Sequence, residues 1–182
     1  MSKVTLLSRH FPVTHFRKGT PTHFVEKIWK SLKGEKWIEP ECYLPEITEF
    51  AEVFDLDVFK IVLPKHHTIR SGNRFKVGDY FSPRVWSDKP YKSKQIVIAP
   101  DLKVLQTYDF ELIPSPWLCD CDFMVNGKKI SGEALDKLAE NDGLDYIDFA
   151  TWFAGQDAVS SFRKPFKGQI ICWAGEDKVL YR

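Results

Sequence analysis

From residue 58 onward, apolar side chains recur at alternate positions in short segments punctuated by Gly, Pro and Asn, a pattern that commits the chain to a β-rich fold. Strands are expected over residues 58–63, 68–69, 80–86 and 168–174. A longer one, bending between two sheet regions, is expected over 94–112, carrying Ile96, Ile98, Leu102, Val104 and Tyr108. Asn126-Gly127 marks a hairpin, because both residues accept the positive φ that a two-residue turn requires. Two helices follow, one capped by Ser131 and closed by Gly143 after Glu140, the other started by Asp145 and reaching Trp152 and Phe153. Near the N-terminus, Thr20-Pro21 is expected to open a helix whose Phe24, Val25, Ile28, Trp29 and Leu32 form one apolar stripe ending at Gly34. In the acidic stretch 39–52, Ile47, Phe50 and Ala51, with Phe54 just beyond it, would share one face of a further short helix. Several antiparallel strands with few, short helices point to an α+β fold or a small barrel.

At 182 residues the chain can bury one core without staples, and its 43% hydrophobic and 28% charged content excludes a disordered chain and favours a soluble globule. No segment approaches a membrane span. The apolar stretch at the N-terminus is too short for a signal peptide, so a cytoplasmic protein with reduced thiols is expected. Cys42, Cys119, Cys121 and Cys172 contain a lone Cys-x-Cys with no second pair at zinc spacing, and His66 and His67 would face opposite sides of a strand. No metal is expected. Glycine-rich phosphate loops and a Ser/His/Asp context are both missing from the sequence, which sets aside kinases and nucleotide-dependent enzymes; no cofactor is expected.

The formal net charge of +1 conceals a segregation. Residues 1–36 carry eight Lys/Arg against two Asp/Glu and residues 58–103 carry ten against three, whereas residues 37–57 carry seven acids and no base. Folded together, the basic blocks would make a face that attracts phosphates; alternatively, they pair with the acidic segments. Within the second block, Phe75, Phe81, Trp86 and Tyr91 interleave with Arg74, Lys76, Arg84, Lys89, Lys92 and Lys94. Such interleaving lets bases stack while cations hold phosphates, with Trp86 or Tyr91 as the stacking side chain; the plainer reading is core and rim.

Lys65-His66-His67-Thr68-Ile69-Arg70, followed by Val77-Gly78-Asp79, puts an amine, a hydroxyl and a guanidinium within six residues. In an extended segment Thr68 and Arg70 point one way and Ile69 goes into the core. The stretch resembles the signature of the ASCH family, a Lys-x-x-Thr-Ile-Arg run with a Val-Gly-Asp turn inside a PUA-like fold. The resemblance implies a PUA-like small mixed or antiparallel β-barrel with flanking helices over residues 58–182, and an N-terminal helical extension over residues 1–57 packed on it. Ser8-Arg9-x-Phe-Pro and Gly19-x-Pro-Thr-x-Phe-Val-Glu-Lys are similar to extensions in phage-associated relatives.

The family includes bacterial N4-acetylcytidine amidohydrolases, in which a Lys, a Thr and a Glu serve as base, nucleophile and acid. Carried over, these roles fall on Lys65, Thr68 and Asp142, the last shorter than Glu by one methylene. A desolvated Lys loses its proton more readily and can then take the hydroxyl proton of Thr68 as it attacks a carbonyl. Arg70 would hold a carbonyl or phosphate, with His67, Asn141 and Trp86 as further substrate-binding positions. The implied functions are binding of a nucleobase or modified nucleoside, with deacylation of N4-acylcytidine, or an RNA- or DNA-binding module, RNA ahead of DNA, with nuclease activity as a variant. The plainer readings are a β-branched strand residue for Thr68, a structural arginine for Arg70, and a helix-ending turn for Asp142.

Overall fold

The computed structural model describes residues 2–34, 44–53, 63–114, 121–154 and 165–174, which form a mixed α+β architecture with mostly antiparallel pairing. In chain order the strands are β1 (Lys3–Leu6), β2 (His67–Ser71), β3 (Tyr80–Trp86), β4 (Gln95–Val97), β5 (Leu102–Lys103), β6 (Gln106–Pro114), β7 (Cys121–Val125), β8 (Lys128–Ile130) and β9 (Phe166–Cys172). Helices α1 (Phe24–Gly34) and α2 (Leu44–Val53) precede β2, and α3 (Glu133–Asn141) and α4 (Tyr146–Ala154) lie between β8 and β9. One sheet runs β2-β9-β6-β7-β8; in the other, β3 is flanked by β1 on one side and by β4 and β5 on the other, with β1 parallel to it.

The register of β2 on β9 decides which side chains meet. His67 stands opposite Cys172 and Ile69 opposite Ile170, and directly opposed residues share a face. That face belongs to a core with Phe110, Phe123, Leu138 and Phe149, drawn from β6, β7, α3 and α4. Thr68 stands opposite Ile171, whose core is the other one, with Phe81 and Val85 of β3 and the apolar stripe of α1. Sheet β2-β9-β6 therefore separates two cores. The α1 stripe is the expected one: Val25, Ile28, Trp29 and Leu32 are buried, and each such side chain contributes about 1.5–3 kcal/mol. Phe50 of α2 closes over Trp29 with ring centroids 5.2 Å apart.

Several local expectations hold in the structure. Asn126 and Gly127 adopt φ of 49° and 75° and join β7 to β8, and the Asp145 carboxylate accepts from the Asp148 N–H at the start of α4. Others need correction. The long strand over 94–112 does pass from one sheet to the other, but as three strands, β4 and β5 beside β3 and β6 in the larger sheet, because Pro100 has no N–H to give a ladder and the chain turns there. Ser131 does not cap α3; Gly132 is its N-cap and no side chain bonds there. Thr20-Pro21 does not open α1, which starts at Phe24: Thr20 Oγ1 donates to the Arg17 carbonyl, Pro21 forms a bridge with His10, and left-handed His23 intervenes. Residues 58–62 of the first expected strand lie outside the described residues.

Of the described residues before residue 58, β1 is itself a strand of the smaller sheet. β1 was not anticipated, four residues being too short to signal a strand, yet it pairs along β3 and the Trp29 indole donates to the Ile98 carbonyl at 2.6 Å. The Val77-Gly78-Asp79 turn is held to β1 by an ion pair between Lys3 and Asp79. The same lysine, with the Lys76 N–H, holds the Asp79 carboxyl below its ordinary range.

Candidate functional site

The end of α3 is a Schellman motif: Leu144 N–H donates to the Ala139 carbonyl and Gly143 N–H to the Glu140 carbonyl, at 3.0 and 2.8 Å. This motif needs a left-handed residue after the cap, and Gly143 supplies it at φ 79°. Any other residue is strained there and crowded as well, since a Cβ would lie 3.2 Å from both Lys27 Cδ and Lys65 Cβ. The turn fixes Asp142 as the cap residue, buried at 5% exposure. The chain entering β2 is wedged against it. Lys65 N–H donates to the Lys27 carbonyl of α1 at 3.0 Å, and His66 N–H to the Asn141 carbonyl at 2.7 Å.

This wedge aims Lys65 inward. Its ammonium, 1% exposed, donates to the Asp142 carbonyl at 2.5 Å and to Asp142 Oδ1 at 2.6 Å, and its third side rests over the Phe24 ring, 4.2 Å from the centroid. Lys27 adds a second cation, donating from Nζ to the Gly143 carbonyl at 2.6 Å. His67 Nε2 lies 3.7 Å from Asp142 Oδ1, too far for a hydrogen bond.

Desolvation dominates the electrostatics. Burial lowers the Lys65 amine to about 8 although Asp142 opposes the shift, and raises the Asp142 carboxyl although Lys65 opposes that one. Burial, with Lys65 and His66 nearby, drives the His67 imidazole well below its usual value, so the ring is neutral. Burial likewise lowers Lys27 and Arg70, and raises the Cys172 thiol well out of the thiolate range, with the Asp142 charge adding to that. At neutral pH an amine of this affinity is roughly one-tenth free base, against less than a thousandth for an ordinary lysine.

Of the residues singled out from the sequence, the fold brings Lys65, His67, Asn141 and Asp142 together. Thr68 is buried, but it stands on the opposite face of β2 from His67, and Lys65 gives it no hydrogen bond. Arg70 holds carbonyls, and they are main-chain ones: Nη1 donates to Ile69 at 3.0 Å and Nη2 to Leu6 at 2.7 Å, tying the edge of one sheet to the other. Trp86 ends β3 beside Tyr91, on a groove that none of Lys65, Thr68 and Asp142 lines. His66 and His67 diverge, His66 Nδ1 lying 3.0 Å from Ser31 Oγ.

Sequence reasoning missed four members of the cluster. Phe24 and Lys27 come from α1, where Phe24 reads only as one more stripe residue. Cys172 enters through the β2–β9 register. Gly143 reads as a helix stop, and its closeness to Lys27 and Lys65 leaves no signal in the sequence. Among the described residues, no group of three His, Cys, Asp or Glu side chains is disposed to hold a metal ion, and no helix is long and apolar enough to cross a membrane. Comparison with family models, with curated proteins and with solved structures returned no match.

Proposed function

We propose that this chain is an ASCH-type, PUA-like domain that binds a nucleobase or modified nucleoside at Lys65 and Asp142. The observation that carries the reading is the wholly buried Lys65 ammonium, held on a single carboxylate with its proton affinity lowered to about 8. Strongly perturbed titratable groups concentrate at functional sites, because a structure seldom gains by removing both charges of a pair from water. The chemistry suits a pyrimidine: Asp142 accepts from an exocyclic amine and Lys65 donates to a ring carbonyl, each replacing part of the bond they now share. The Lys-x-x-Thr-Ile-Arg run and the Val-Gly-Asp turn support the family reading.

A second reading, deacylation of N4-acylcytidine, is favoured by the available free amine of Lys65, which can act as a base near neutral pH. It requires Thr68 to reach the substrate from its own face of β2, so binding stands as the primary function. The test is calorimetric titration with cytidine and N4-acetylcytidine, coupled to product analysis. Binding that is lost in Lys65→Ala and Asp142→Asn is the expected result. Equal affinity in both variants and the parent would overturn the reading. If turnover accompanies binding, Thr68→Ala abolishes turnover and leaves the fold intact; normal turnover in that variant removes Thr68 from the mechanism.

A further inference from the structure

Lys27 is bonded to both chain segments that build the Lys65–Asp142 pair. Its carbonyl accepts from the Lys65 N–H at 3.0 Å, where the chain enters β2, and its ammonium donates to the Gly143 carbonyl at 2.6 Å, in the turn that places Asp142. We propose that Lys27 is a positioning residue of this site, setting the approach of Lys65 to Asp142 and standing in as the cation of Asp142 when Lys65 turns its donors to a ligand. The proposal rests on the reading of the pair as a ligand site. It adds what that reading needs, because a buried carboxylate that yields its partner to a ligand requires another.

The sequence sets Lys27 on the right face of its helix. Phe24 and Lys27 are three residues apart on α1 and so share a face. The Phe24 ring lies by two ammonium groups, its centroid 4.2 Å from Lys65 Nζ and 5.9 Å from Lys27 Nζ. The half-buried stem of Lys27 covers Gly143, where an added Cβ would stand 3.2 Å from Lys27 Cδ, and it delivers the charge to the turn. Arg70 also acts on Asp142, but two main-chain carbonyls hold its guanidinium in place. Lys27 is bonded one residue from Asp142 and ends a flexible chain, so a short swing brings it onto the carboxylate. Burial lowers the proton affinity of Lys27; the charges that act on it are Asp148 of α4, Arg17 of the N-terminal segment, Asp142 at the α3 cap and Glu26 of α1 itself, with Lys65 beside the same ring. Burial is also the main cause of the lowered Lys65 affinity, Asp142 opposes it, and Arg70 and Lys27 add to it as like charges.

The experiment pairs titration of Lys65, followed by carbon-13 NMR of ε-labelled lysines in the full chain, with calorimetric titration of cytidine. Lys27→Met keeps the stem and the main-chain acceptor and removes the charge. With that like charge gone, the Lys65 midpoint should rise from about 8 by about half a pH unit or more, and cytidine should bind about ten-fold more weakly. Lys27→Gln, which keeps a donor for the Gly143 carbonyl, should move the midpoint as Lys27→Met does. Lys27→Arg, which keeps the charge, should restore both the midpoint and the affinity. A lowered melting temperature in Lys27→Met with the Lys65 midpoint unmoved would make Lys27 structural and overturn the proposal. Cytidine affinity unchanged in Lys27→Met, or Lys27→Arg behaving like Lys27→Met, would overturn it as well. A parent chain that binds no cytidine overturns the ligand reading and the proposal with it, whereas a parent that binds cytidine beside an unmoved midpoint in Lys27→Met overturns the role of Lys27 alone.

Discussion

Asp142 and Asp148 flank the same turn between α3 and α4, and both are buried, yet they are neutralised in opposite ways. Asp148 takes its cation from Arg17, whose side chain is 43% exposed and keeps its water. His15 completes that latch: its Nδ1 accepts from the Arg17 N–H, which leaves Nε2 to donate to the Asp148 carbonyl at 3.1 Å. The arrangement docks the N-terminal segment on α4. Asp142 instead takes a cation, Lys65, that is as buried as itself. Both ions there forfeit hydration, and a well-packed apolar pair would serve the fold as well or better. The difference separates a latch from a site.

The comparison breaks if the two carboxylates prove equivalent. Asp142→Ala should cost about 3–5 kcal/mol in chemical denaturation, because it strands a buried ammonium, and Lys65→Met combined with Asp142→Leu should recover most of that loss. A double variant as unstable as the single one would show that the pair is structural. The next effect is in pH. The folded Lys65 amine releases its proton near 8 and the unfolded one near 10.5, so over that interval the unfolded chain binds more protons and stability rises with pH. Measured against Lys65→Met, the parent should gain up to about 1.4 kcal/mol per pH unit there. A flat difference would contradict the lowered proton affinity.

Smaller effects sharpen the contrast. Asp148→Ala should cost roughly 1.5–3 kcal/mol, the worth of hydrogen bonds to a charged group, and Arg17→Ala about 1–3 kcal/mol, since it leaves the buried Asp148 carboxylate without its cation but lets water enter the half-exposed place of the guanidinium. An Arg17 loss as large as that of Asp142 would erase the distinction. Gly143→Ala should cost on the order of 1–2 kcal/mol from the left-handed backbone alone, and more if Lys27 and Lys65 cannot yield around the new methyl. Parent-like stability in that variant would show the cap to be tolerant.

Much of the framework was legible because its signals are local. Asn126-Gly127, Asp145 and the α1 stripe each act over a few residues, and the alternation in His67-Thr68-Ile69 already assigns Thr68 and Ile69 to different faces. Lys65 and Asp142 were legible as chemistry. Their partnership was not, since it depends on α1 presenting Phe24 and Lys27 and on a Schellman turn far along the chain. Ser131 misled because a hydroxyl before a helix does not ensure a cap: the adjacent Gly132 takes the position. Arg70 spends donors on the main chain of a strand too short to foresee.

The most direct test follows the Lys65 side chain itself. Carbon-13 NMR of ε-labelled lysines, assigned by comparison with Lys65→Met, would titrate this amine with and without cytidine. A midpoint near 8 that moves on adding the nucleoside is the expected result for a ligand-binding site built on a desolvated pair. A midpoint near the ordinary 10.5, unmoved by the nucleoside, would contradict it.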